Sequence, residues 1–267
     1  MICSTARDIL RQSPHKSKFP IRALRVAMLG TAMMSVSMMA PIAVAQETSG
    51  GEKAQPTAAG NTATPIERIT AAAGFKVELL YSVPSETQGS WVNLCTDNKG
   101  RLLVSDQFGG LYRITPPPVG ETLQAADVET VPAAIRAVNG MVWAFDALYV
   151  GVNDYESKIP SGLYRITDSD KDDQLDKVEL LRRVDSKSDH GVHAVLPTPD
   201  GEALYLITGN NTTPPELAAS SPVPPIWGED HLLPSMPDGR GHNRGVLAPG
   251  GIIYRVTPDG KTFEAYA

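Results

Sequence analysis

The sequence predicts an all-β protein of the β-propeller type, and three observations carry that prediction. The first is an internal repeat. Gly110-Leu111-Tyr112-Arg113-Ile114-Thr115 recurs as Gly162-Leu163-Tyr164-Arg165-Ile166-Thr167, and again as Ile253-Tyr254-Arg255-Val256-Thr257 with Gly251 just ahead. The second is what flanks each copy. Strand-like runs precede it at 101–105, 147–152 and 203–208, and others follow it at 128–131, 177–183 and 262–265. Asn98-Lys99-Gly100, Asp200-Gly201 and Asp259-Gly260 supply turn signals between them. The third is spacing. Tyr112 and Tyr164 lie 52 residues apart, and a Pro-rich insertion at 211–250 lengthens the next interval. Units of roughly 40–50 residues built of short strands are propeller blades. A sandwich with chance likeness among edge strands would not repeat a pattern framed by a Gly turn before and a polar turn after.

In chain order, residues 1–45 read as a secretory signal peptide. Arg7, Arg11, Lys16, Lys18, Arg22 and Arg25 form a basic leader, an uncharged Met-rich run covers 26–39, and Ala43-Val44-Ala45 offers a cleavage site. The run is too short to span a membrane comfortably. The mature protein is therefore expected to be periplasmic or secreted. Residues 46–64, rich in Gly, Ala, Thr and Ser, read as a disordered linker. Residues 65–267 read as a partial propeller domain, with one short helix within 65–73 and β signal from Phe75 onward. Cys3 belongs to the leader, so Cys95 stands without a disulfide partner, in an apolar stretch that suggests packing. No Cys-x-x-Cys-His is present, so no haem attachment motif occurs in this chain.

The count yields about three four-stranded blades plus a leading strand, where a closed ring needs four to eight. The expectation is an incomplete ring, from a truncated product or fragment or an arc completed by a second chain. The net charge of −6, with no basic stripe after residue 25, argues against a nucleic-acid binder.

The sharpest local signal is Asp168-Ser169-Asp170-Lys171-Asp172-Asp173-Gln174-Leu175-Asp176-Lys177-Val178-Glu179. Counted from Asp168, acids fall at positions 1, 3, 5, 9 and 12, with the Gln174 carbonyl at position 7, as in an EF-hand-type calcium loop. Asp168, Asp170, Asp172, Gln174, Asp176 and Glu179 are thus the candidate metal ligands, for calcium. Position 6, normally Gly because it needs φ > 0, is Asp173. The competing reading is a solvated acidic turn. The repeated Tyr-Arg pairs read as structural, because every unit carries them alike, with Tyr toward one inter-blade face and Arg toward the other.

Several motifs in order give a family resemblance. Phe75-Lys76-Val77-Glu78-Leu79-Leu80 and Gly100-Arg101-Leu102-Leu103-Val104-Ser105-Asp106 resemble the opening of glucose/sorbosone dehydrogenase-type propellers. His190-Gly191-Val192-His193-Ala194-Val195, Pro199-Asp200-Gly201 and Leu204-Tyr205-Leu206-Ile207-Thr208-Gly209-Asn210 resemble the blade that carries their active-site His. Gly241-His242-Asn243-Arg244-Gly245 resembles a segment of the planctomycete-type membrane-bound dehydrogenase or haem-binding domain branch. The resemblance implies a six-bladed ring and quinoprotein oxidation of a sugar or polyol with pyrroloquinoline quinone (PQQ) and calcium. It implies His190 as general base, His193, His242 and Arg244 toward the cofactor, and a cytochrome c domain or other electron acceptor as partner. His193 rivals His190 as the base, and His190, His193 and His242 form an alternative metal set. The 211–250 insertion is expected to cover the end of the ring that carries His190. The other functional readings are a non-catalytic calcium-binding propeller that recognises a ligand or protein, and a truncated remnant.

Overall fold

The computed structural model describes residues 63–223 and 251–267, which build three four-stranded antiparallel sheets. The first runs β1 (Trp91–Thr96), β2 (Leu102–Asp106), β3 (Leu111–Ile114), β4 (Val128–Thr130), side by side in chain order. The second runs β5 (Val138–Ala144), β6 (Ala147–Val152), β7 (Gly162–Thr167), β8 (Lys177–Arg183). A short strand β9 (Asp185–Ser186) then leads to β10 (Val192–Pro197) and β11 (Leu204–Thr208). Strand β12 (Thr212–Thr213) pairs with β9, and β13 (Ile252–Val256) and β14 (Phe263–Ala265) complete the third sheet in the order β10-β11-β13-β14. A 3-10 turn at Ile66–Arg68 falls where a short helix was expected, and no helix among the described residues is long and apolar enough to cross a membrane.

The sheets stack as propeller blades. Their first strands gather, β1 against β5 and β5 against β10. Leu103 and Leu111 of the first blade share a buried cluster with Met141, Leu148 and Tyr164 of the second. Tyr149 and Leu163 of the second share another with Val195, Leu206 and Tyr254 of the third. Each inter-blade layer is thus an apolar core closed by two sheet faces, and both faces of the middle blade are covered.

The repeat is the third strand of every blade, which explains its chemistry. Tyr164 and Tyr254 sit in the cluster shared with the preceding blade, while the Arg113 guanidinium reaches forward to the Asp173 carbonyl of the second blade at 2.6 Å. Tyr112 faces residues 75–84 instead. Leu80 and Tyr81 pack on that face, and the Tyr81 and Trp91 rings stack at 5.5 Å. The β signal expected from Phe75 onward therefore gives no strand before Trp91. This segment lies across the blade as a cover, tied by the Leu123 N–H to the Leu80 carbonyl at 2.9 Å.

The first strands of the second and third blades are elements that the three-strand unit did not contain. They approach one another by backbone. A Cβ added at Gly140 would stand 1.9 Å from the His193 carbonyl oxygen and 2.8 Å from the Ala194 Cα. Gly151, its register partner on β6, faces the same carbonyl. A β-bulge between Val192 and Val195 turns that stretch of β10 toward the two glycines.

Strand connectivity gives the blades two ends. The lower end carries the β1–β2, β5–β6, β7–β8, β10–β11 and β13–β14 turns. The upper end carries the β2–β3 and β6–β7 connections, the entries to β5 and β10, and the start of the 211–250 insertion.

Candidate functional site

At the upper end, one backbone contact recurs in all three blades. The Ser90, Ala137 and Gly191 carbonyls accept from the N–H groups of Gln107, Asn153 and Gly209 at 2.8, 2.9 and 2.6 Å. The residues just before those carbonyls, Gly89, Arg136 and His190, therefore occupy equivalent positions at the mouths of the first strands. The sequence motifs singled out His190; they gave no sign of Arg136, whose equivalence follows from pairing alone. Arg136 donates to Asp154 Oδ1 at 2.6 Å, to Glu156 Oε2 at 2.7 Å and to the Phe108 carbonyl at 3.1 Å. Burial disfavours the Asp154 carboxylate, but Arg136 and the Ile159 N–H outweigh it and hold the group below its ordinary value.

His190 is half-buried. Its N–H donates to Ser188 Oγ at 3.1 Å, its carbonyl accepts from the Asn211 N–H at 3.1 Å, and its Nδ1 meets Asn210 Oδ1 at 3.3 Å. The contact is a hydrogen bond in the tautomer protonated at Nδ1, in which Nε2 is the basic nitrogen. Such a ring can take a proton from a hydroxyl. The Asn211 contact also places the start of the long insertion beside His190, while residues 224–250 of it lie outside the described residues.

His193 lies on the β10 bulge, also half-buried. Burial first, and the neighbouring His190 second, push its pKa below the ordinary imidazole value. Both effects favour its neutral form. His242 and Arg244 lie outside the described residues.

The Asp-rich loop joins β7 to β8 at the lower end. Carboxylate oxygens of Asp168, Asp170 and Asp172 come within 4.8 Å of one another. Asp168 accepts backbone N–H groups from Lys171 at 2.7 Å and Asp173 at 2.8 Å, and Asp172 accepts the Gln174 N–H at 2.8 Å. Asp176 accepts both the N–H and the hydroxyl of Ser169. Glu179 is held apart from the group, paired across the β7–β8 ladder with Arg165 at 2.6 Å. Asp173 takes φ +73°, as position 6 requires.

Its side chain turns away from the loop to the first blade. Arg101 grips it with both terminal guanidinium nitrogens, at 2.6 and 2.9 Å, and Lys99 Nζ lies at 2.8 Å. Arg101 bonds first of all, and Lys99 next, hold the Asp173 carboxyl well below the usual carboxylate range. Cys95, partly buried against the core between the first two blades, is an inert thiol, its pKa pushed up by burial to about 12.

No family model matches the chain, and no curated protein matches it. The chain is similar to the solved structure of the PQQ-bound form of aldose sugar dehydrogenase from Streptomyces coelicolor, with 19% identity, a TM-score of 0.39 and 64% of this chain covered. The match takes in 45% of that structure's chain, so this protein spans less than half of it.

Proposed function

We propose that this chain is the N-terminal propeller portion of an exported dehydrogenase-like protein of the glucose/sorbosone type. In this reading the upper end of the blades receives a sugar or polyol, and His190 takes the proton of the hydroxyl being oxidised. The carrying observation is the place of His190 at the mouth of a first strand, with its ring Nδ1 against Asn210 Oδ1. The order of the His190, Pro199 and Leu204 motifs supports the family. A cytochrome c domain or a separate electron acceptor would take the electrons onward, outside the cell membrane.

PQQ is the cofactor that this family implies. Its carboxylates call for cationic partners at the upper end of the blades. Arg136, at the position equivalent to His190 one blade earlier, is already neutralised by Asp154 and Glu156. His242 and Arg244, the other candidates, fall outside the described residues.

The test is dye reduction by the purified full chain supplied with PQQ and calcium over a panel of aldoses and polyols. Turnover is expected, with His190→Ala lowering kcat by about 10²–10⁴-fold, the range of a lost general base. A correctly folded chain that turns over no member of the panel would remove the enzymatic reading.

A second proposal rests on the Asp168, Asp170 and Asp172 cluster: this loop binds calcium. It lies at the opposite end from His190, so the ion would stabilise the fold without touching substrate. Titration calorimetry of the mature chain should give one site per chain, and Asp170→Ala should weaken it at least tenfold. Absence of heat with the wild-type protein would leave a solvated acidic turn.

A further inference from the structure

We infer that Asn153, on the second blade, is the positioning residue of His190 on the third; this rests on the proposed role of His190 as base. Asn153 follows β6 directly and is 3% exposed. Its backbone N–H donates to the Ala137 carbonyl at 2.9 Å. Its side-chain amide crosses to the next blade. There Nδ2 donates to the Ser188 carbonyl at 3.1 Å, and Oδ1 accepts the Val192 N–H at 3.3 Å. One buried amide thus grips the chain two residues before His190 and two residues after it.

The residue between His190 and Val192 fits that grip. A Cβ on Gly191 would stand 1.8 Å from Asn153 Oδ1 and 2.1 Å from Ser186 Oγ, so the glycine is the space in which the amide lies. Ser188 completes the brace, since its hydroxyl accepts the His190 N–H and its carbonyl accepts the Ser186 hydroxyl as well as the Asn153 amide. Asn210 orients the ring, but the backbone from which the ring hangs is set by Asn153.

Asn153 also fixes Ala137, a buried non-glycine residue at φ +53° next to Arg136. The same residue therefore registers both equivalent positions, Arg136 and His190, against each other. An amide suits the task because it presents a donor and an acceptor on two different atoms of one plane; a carboxylate has no donor, and a hydroxyl must do both from a single oxygen.

The test uses the full chain labelled at histidine and asparagine, and reads the His190 ring by NMR, assigned by its loss in His190→Gln. Asn153→Asp keeps the acceptor for Val192 but sets a carboxylate oxygen against the Ser188 carbonyl. It should shift and broaden the His190 ring signals and, in the dye assay with PQQ and an aldose, lower kcat about 100-fold with KM little changed. Should that variant fail to fold, the wild type decides: its Asn153 side-chain protons should show cross-peaks to Ser188 and Val192 and slow exchange with solvent. If the ring signals move but the wild type has no turnover, the positioning role stands and the base falls. Unmoved His190 signals in folded Asn153→Asp, or freely exchanging Asn153 side-chain protons in the wild type, would overturn the inference.

Discussion

Gly140→Ala is expected to destabilise the protein by about 3 kcal/mol, lowering Tm by about 10 °C for a domain of this size. The cost is steric. The new methyl would stand 1.9 Å from the His193 carbonyl oxygen, a backbone atom of the next blade that no rotamer change can move. Relief requires the second and third blades to separate, and separation opens the buried cluster of Tyr149, Leu163, Leu206 and Tyr254. Gly110→Ala is the matched control. Its nearest atom would be the Ile135 carbonyl oxygen at 3.9 Å, an ordinary contact, and it should change stability by less than about 0.5 kcal/mol. Thermal or urea unfolding of the two variants checks the difference.

Removal of Asp173 is the second large effect. Its carboxylate joins the Asp-rich loop to the first blade through Arg101, whose side chain is only 15% exposed, and through Lys99. Breaking a buried pair costs several kcal/mol, but Asp173 is 40% exposed and solvent screens part of that, so Asp173→Ala should cost about 2 kcal/mol. Asp173→Gly should cost about 1 kcal/mol less, because glycine accepts φ +73° without penalty. The pH dependence has a definite sign. The folded-state pKa of Asp173 is depressed by Arg101 and Lys99, so the stabilisation is present in full above the unfolded value of about 4 and is lost as pH falls below it. Asp97 adds to the same window: burial opposes its ionisation, but bonds from Arg101 hold its pKa down. Acid unfolding of Asp173→Gly should accordingly be shallower below pH 4 than that of the wild type.

Asp173 also shows how sequence and structure divide the account. The acidic spacing was legible, and so was the need for φ > 0 at its sixth position. The reason for Asp in place of Gly was not, because it lies in Arg101 and Lys99, more than 70 residues earlier in the chain. The third strands of the blades were legible because they repeat in sequence. The first strands β5 and β10 were not, because Asn139-Gly140 and the bulge at 193–194 break the period-two pattern, and because those strands are shaped to meet each other by backbone. The β5–β6 turn hid for a related reason. Phe145 and Asp146 both take left-handed φ, 49° and 55°, in a two-residue turn that Asn-Gly would have announced. At the upper end, His190 could be read from its motif. Arg136 and Asn153 could not, since their relation to His190 exists only once neighbouring blades are packed.

The central claim is that successive four-stranded sheets stack around one axis with their first strands in contact. The most direct measurement is the proton cross-peak pattern of Gly140 in the labelled protein. The account predicts strong cross-peaks from a Gly140 Hα to Ala194, alongside the in-sheet contacts to Gly151, and none among Tyr112, Tyr164 and Tyr254 as ladder partners. Cross-strand peaks joining those three tyrosine strands in one sheet, with Gly140 silent toward Ala194, would contradict it.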